Sequence, residues 1–158
     1  SLPKEVVYCG GLNLTDPSTK EEITAGKLVL SPTRTYAPII AKILKQYRKK
    51  IDGMIHCSGG AQTKVLHFLN DGCKVIKDNL FPIPPLFEMI QQQSKTEWKE
   101  MYKVFNMGHR MEIYTDEQTA KEIIKISQEF GVEAQIVGRV EEGEKSVEIY
   151  SPYGVFTY

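Results

Sequence analysis

Ala134-Gln135-Ile136-Val137-Gly138-Arg139-Val140, Glu141-Glu142-Gly143-Glu144 and Ser146-Val147-Glu148-Ile149-Tyr150 decide the fold. The two outer runs read as strands, and the acidic, glycine-bearing segment between them is a hairpin signal. Upstream, helices and strands alternate, but a terminal hairpin means that the sheet cannot be wholly parallel. The expected class is therefore α+β: a mixed, largely antiparallel sheet covered by helices.

Working back from that ending, His109–Tyr114 reads as a strand. Thr115-Asp116-Glu117-Gln118 is a capping-box pattern that opens a helix ending at Gly131, with Ala120, Ile123, Ile124 and Phe130 as its buried side. Trp98, Met101, Tyr102 and Phe105 recur at helical spacing after Thr96 and read as a core stripe. Pro84 or Pro85 opens a helix reaching about Gln92. Gly53–Ser58 is an apolar strand bounded by glycines. Ala61–Leu69 is a short helix closed by Asn70-Asp71-Gly72, and Cys73–Ile76 is a short strand.

Nearer the start, Ile39, Ile40, Ile43, Leu44 and Tyr47 stripe a helix from about Tyr36 to Lys49, which Thr35 can cap and whose first turn accommodates Pro38. Lys27–Leu30 and Val6–Cys9 are expected as short strands with a surface loop between them. Residues 1–26 read as a linker or extension and 27–150 as the core of a single domain. No internal repeat or low-complexity tract is present.

At 158 residues the chain is about one domain long, enough to bury roughly 68–70% of its unfolded surface. Twenty basic and twenty acidic residues cancel, so no global field points to nucleic acid or a membrane, and any anion site must be local. Cys9, Cys57 and Cys73 are odd in number and lack CxxC spacing, which fits a reduced, cytoplasmic setting with the thiols as small hydrophobes. No apolar run approaches membrane-spanning length. The opening Ser1-Leu2-Pro3, without methionine, suggests a piece of a longer protein.

Three blocks can carry chemistry. In His56-Cys57-Ser58-Gly59-Gly60-Ala61 a strand runs into a glycine pair and then a helix, so backbone N–H groups can approach an anion closely. A tight turn needing positive φ explains a lone Gly-Gly equally well, and neither Walker-A nor GxGxxG spacing is present. Pro32-Thr33-Arg34-Thr35-Tyr36 puts a guanidinium and hydroxyls beside a helix start, a reasonable phosphate or carboxylate clamp or else a surface arginine beside a cap. In Phe105-Asn106-Met107-Gly108-His109 the amide of Asn106 can both donate and accept, so it suits an amidine or carboxamide; a turn asparagine is the plainer explanation.

His56, His67 and His109 have no metal-ligand spacing to one another, to cysteine or to a carboxylate, so no metal site is expected. His56, inside an apolar strand, reads by default as a hydrogen-bonded core residue; its place at the glycine turn makes it the one catalytic or substrate-contact candidate. No carboxylate pair suggests an acid/base couple or a magnesium cage. Ser58 lacks the G-x-S-x-G elbow, which argues against nucleophilic catalysis.

Taken in order, the three blocks together with Gly26 and Met101–Phe105 resemble the C-terminal half of the aminoimidazole ribonucleotide synthetase family, the phosphoribosylformylglycinamidine cyclo-ligases. The likeness runs from about Gly26 to Val140. It implies an ATP-using, purine-biosynthetic ligase: the formyl oxygen of formylglycinamidine ribonucleotide is activated by phosphoryl transfer, and a ring-forming nitrogen then displaces the phosphate, giving aminoimidazole ribonucleotide, ADP and phosphate. ATP and Mg2+ would be bound mainly by an N-terminal half absent from this chain, which would also be its partner, in a homodimer when full length. By the same resemblance Thr33, Arg34, His56, Ser58, Gly59, Gly60, Asn106 and Gly108 would hold the phosphorylated ribonucleotide, acting by electrostatic positioning. The alternatives are a domain of a sister synthetase or kinase, or a non-catalytic anion-binding module.

The chain departs from the family pattern at two places. Ala61 replaces a third glycine and is followed by Gln62-Thr63-Lys64-Val65 in place of Asn-x-Pro-Arg. Arg110 replaces a glycine after Gly108, so Lys64, His109 or Arg110 can substitute for the lost contacts.

Overall fold

The computed structural model describes residues 10–18, 23–32 and 34–158. The strand expected at Val6–Cys9 lies outside these residues, as does the site candidate Thr33. The elements are α1 (Ala25–Val29), α2 (Ala37–Tyr47), β1 (Ile51–His56), β2 (Cys73–Lys77), α3 (Pro85–Ser94), α4 (Trp98–Val104), β3 (Met111–Thr115), α5 (Glu117–Glu129), β4 (Gly138–Glu142), β5 (Ser146–Ser151) and β6 (Gly154–Thr157). Short 3-10 segments cover Arg48–Lys50 and Ala61–His67. The class is α+β with mixed, largely antiparallel strands, as expected, but these strands fall into two sheets. β1 and β3 form an antiparallel pair, and the other four run in the order β4-β2-β5-β6.

That order corrects the reading of the chain's end. β4 and β5 are not a hairpin, because β2 lies between them, antiparallel to β4 and parallel to β5. Two strand spacings are about 9–10 Å, a gap that the short link Gly143-Glu144-Lys145 spans when extended at about 3.3–3.6 Å per residue. Gly143 N donates to Gly72 O at 2.9 Å as the link passes the start of β2. The physical reason is burial. Val75, Ile76 and Lys77 of β2 are all buried, whereas Arg139 and Val140 of β4 are exposed, so β2 takes the interior position and β4 the edge. Lys74 then lies between Glu141 at 3.5 Å and Glu148 at 3.8 Å on its two neighbours. The true hairpin is β5–β6, and it carries the sheet past residue 150.

Three other expectations change. Lys27–Leu30 is not a strand: its first three residues end α1 and Leu30 is the C-cap, while the N-cap Thr24 accepts from Lys27 N at 3.4 Å. A three-residue apolar run, Leu28-Val29-Leu30, does not distinguish the two states, and here the cap decides. In α5 the cap is Asp116, whose Oδ1 accepts from Thr119 N at 2.9 Å, while Thr115 ends β3 and donates to Lys50 O at 2.6 Å. Ile123 and Ile126 form the buried side of α5, and Phe130, expected inside, is exposed.

Two cores result. Ile39 and Ile43 of α2 pack with Ile123 and Ile126 of α5. Ile55, Cys57, Val65, Val75, Tyr102, Met107, Val147 and Ile149 form the second. Met101 and Tyr102 of the α4 stripe are fully buried, as the spacing predicts, and Trp98 stacks flat on Tyr153 with ring centroids 3.7 Å apart.

Candidate functional site: two loops on a buried ion pair

Alternation along β1 sends Ile55 inward and His56 outward, and Cys57, just past the strand, turns back into the core. His56 is thus exposed at the strand's end, not the core histidine expected from its apolar neighbours. The chain then turns through Gly59 at φ 22°, Gly60 at φ 88° and Ala61 at φ 41°. Three successive residues with positive φ form a concave backbone, and among the described residues the amides of Gly59, Gly60 and Ala61 have no protein acceptor. A Cβ on Gly59 would meet nothing within 4 Å, which leaves open space over the turn. Lys64 reaches back to donate to Ser58 Oγ at 3.1 Å, bringing a cation to the same edge.

The Asn106 loop lies against this turn. Gln62 Nε2 donates to Asn106 O at 2.6 Å, and Cys57 N donates to Arg110 O at 2.8 Å. Met107 and Gly108 have φ 52° and 98°. Gly108 is required for space as well as conformation, since a Cβ there would lie 2.9 Å from Pro84 Cγ. The Asn106 carboxamide oxygen accepts from Gly108 N at 3.0 Å, so this half of the side chain serves the turn.

Of the predicted residues, the structure therefore brings together Ser58, Gly59 and Gly60 with Asn106 and Gly108, and sets His56 at the rim of the same turn. Arg34 is exposed just before α2, which packs on α5 in the other core. No hydrogen bond or ion pair joins Arg34 to either loop among the described residues. Two open hollows, of about 520 Å³ beside Lys74 and Tyr158 and about 360 Å³ beside Tyr47 and Asp116, include none of the site candidates.

Beneath the two loops lies a polar cluster that the sequence reading missed. Lys77 is 1% exposed and Glu112 is 6% exposed. The Lys77 ammonium donates to Gln62 O at 2.6 Å, to Gln62 Oε1 at 3.1 Å and to Glu112 Oε1. Glu112 Oε1 also meets His109 Nε2 at 2.5 Å, and Glu112 Oε2 accepts from Tyr114 OH at 2.6 Å. Burial by itself would raise the Glu112 pKa, but the His109 hydrogen bond and the Lys77 charge overcome it and hold the carboxyl at about 2. Burial, reinforced by the Glu112 charge, pushes the Cys57 thiol well up. The available signals were a glutamate inside an apolar strand and a lysine in phase with Val75 on β2.

Cys57, His109 and Glu112 also place potential ligand atoms within 4.8 Å of one another. His109 and Glu112 are three residues apart in the chain, and pairing of β1 with β3 brings Cys57 to them. Both Glu112 oxygens are already engaged, and a dication would have to displace the Lys77 ammonium from one of them.

No helix among the described residues is long and apolar enough to cross a membrane. Three relatives named phosphoribosylformylglycinamidine cyclo-ligase are similar to the chain. The one from Syntrophus aciditrophicus (strain SB) is 32% identical over 151 residues, covering 92% of this chain and 43% of the relative. That from Bacillus thuringiensis (strain Al Hakam) is 33% identical over 142 residues, 89% and 40% of the two chains. That from Alkaliphilus metalliredigens (strain QYMF) is 33% identical over 126 residues, 78% and 36%. The chain thus spans less than half the length of these relatives. The family model described as "AIR synthase related protein, C-terminal domain" matches residues 8–151, and the chain belongs to that family.

Proposed function

We propose that the chain is the substrate-holding C-terminal part of an ATP-dependent cyclo-ligase that converts formylglycinamidine ribonucleotide to aminoimidazole ribonucleotide. The observation that carries this reading is the Gln62–Asn106 hydrogen bond, which joins the open-amide turn at Gly59–Ala61 to the Asn106–Gly108 loop. Amides without acceptors, the Ser58 hydroxyl and the Lys64 ammonium offer donors and positive charge to a phosphate or a developing oxyanion. Asn106 and Gly108 sit within reach of the same guest. Arg34 and Thr33 would complete the clamp from the segment before α2, and His56 would contact the substrate from the rim.

ATP with Mg2+ would supply the phosphoryl group that activates the formyl oxygen. The residues of this chain do not fit a Mg2+ site at the loops, since Glu112 is buried and fully engaged. Its role is to bind and orient the ribonucleotide, and we place ATP, Mg2+ and the dimer contacts in the N-terminal part that the relatives possess and this chain does not cover. The setting is cytoplasmic.

The test is calorimetry of the full-length protein with formylglycinamidine ribonucleotide, comparing wild type with Asn106→Ala and Arg34→Ala. At least a tenfold loss of affinity is expected in each, and unchanged affinity in both would remove the substrate-site reading. The isolated chain should release no ADP from ATP.

A further inference from the structure

We infer that Lys77 and Glu112 are positioning residues: their buried ion pair, acting through Gln62 and His109, holds the Gly59–Ala61 turn and the Asn106–Gly108 loop in the conformation that receives the ribonucleotide. This inference rests on the proposed function for its substrate, but its geometry stands alone. A lysine ammonium has three N–H donors, and three acceptors surround that of Lys77: two on Gln62 and one on Glu112. Gln62 passes the constraint on by donating to Asn106 O at 2.6 Å. His109, one residue past Gly108, is held to Glu112 Oε1 at 2.5 Å, so the second loop is fixed on both sides.

The anchors sit where the backbone needs them. Ala61 at φ 41° and Met107 at φ 52° carry side chains in the left-handed region, where such residues persist only if their surroundings over-determine them. Gln62 directly follows Ala61, and Asn106 directly precedes Met107. Lys77 comes from the four-stranded sheet and Glu112 from the β1–β3 pair, so the network also ties the two sheets together beneath the loops. A buried ion pair seldom stabilises a fold better than apolar residues of the same volume. Its distinctive contribution here is directional: donors and acceptors at set angles fix two loops that apolar contacts would leave free to slide.

The test uses the full-length protein with Lys77→Met/Glu112→Gln, which removes both charges and leaves a carboxamide for His109 and Tyr114. Exchange is read at the Thr63, Gly108 and His109 amides, which donate to Gly60 O, Asn106 Oδ1 and Asn106 O. All three should exchange at least tenfold faster, with α5 amides unchanged. The KM for formylglycinamidine ribonucleotide should rise at least tenfold while kcat changes less than threefold. Retained protection, or lost protection with an unchanged KM, overturns the inference. If the wild type fails to bind the ribonucleotide, the proposed function falls and loop exchange alone decides the positioning role. Should the double variant not fold, Gln62→Leu cuts the link to Asn106 with both charged residues kept, at the loss of one of the three Lys77 acceptors. It must then accelerate exchange at Gly108 and His109, or the inference fails.

Discussion

Removing Lys77 alone is the sharpest test of how the interior is held. Lys77→Met leaves Glu112 as a buried carboxylate with only His109 and Tyr114, and leaves two acceptors on Gln62 without a donor. Breaking one side of a buried pair costs about 3–5 kcal/mol. At about 2–4 °C per kcal/mol for a chain of this size, the melting temperature should fall by about 6–20 °C. Adding Glu112→Gln removes the stranded charge and should return the protein to within about 2 kcal/mol of wild type. Urea unfolding followed by the fluorescence of Trp98, the only tryptophan, gives both values, because its stack on Tyr153 is lost on unfolding. The single variant's penalty should also shrink below about pH 4.5, where Glu112 without its lysine can protonate. A single-variant cost under about 1 kcal/mol, or a double variant no more stable than the single, would refute the buried-pair reasoning.

Wild-type acid stability follows from the same group. Its folded pKa of about 2 lies below the ordinary 4.5, so it contributes about 3 kcal/mol above pH 4.5 that is lost as pH falls toward 2; Glu112→Gln should flatten that part of the stability–pH curve. Gly138→Ala should cost about 3 kcal/mol or more, because its Cβ would fall 1.9 Å from Ile76 O and break the β2–β4 ladder, a loss that denaturant titration would show. Gly108→Ala, with its φ of 98° and the clash with Pro84, should cost about 2–3 kcal/mol and weaken ribonucleotide affinity in calorimetry. Native Cys57, 3% exposed with a raised pKa, should resist a thiol reagent until the chain unfolds, while half-buried Cys73 reacts first; equal native rates would contradict this burial.

Local chemistry made much of the molecule legible. The stripe Ile39, Ile43 and Tyr47, the proline-led start of α3 and the buried pair Met101 and Tyr102 are set by side chains a few residues apart, and periodicity captures such pairs. The glycines at Gly59 and Gly60 announced a special turn because few other residues adopt those φ values. Ala61 and Met107 gave no such notice, since each adopts a left-handed conformation only under constraint from the rest of the fold. Lys27–Leu30 was ambiguous because its three apolar residues, Leu28, Val29 and Leu30, fit either period.

By itself, then, the sequence determined the α+β class, most of the helices and the two glycine-bearing turns that lie side by side in the fold. Only the tertiary structure decided that β2 separates β4 from β5, that His56 faces out while Cys57 turns in, and that Lys77, Gln62, His109 and Glu112 converge. The physical reason is range. Helix periodicity, caps and glycine turns are interactions between near neighbours, whereas strand order and buried-charge pairing join residues far apart in the chain. Those pairings are selected by which strand is apolar enough for the interior and which charge finds a partner there, and neither is written in local spacing.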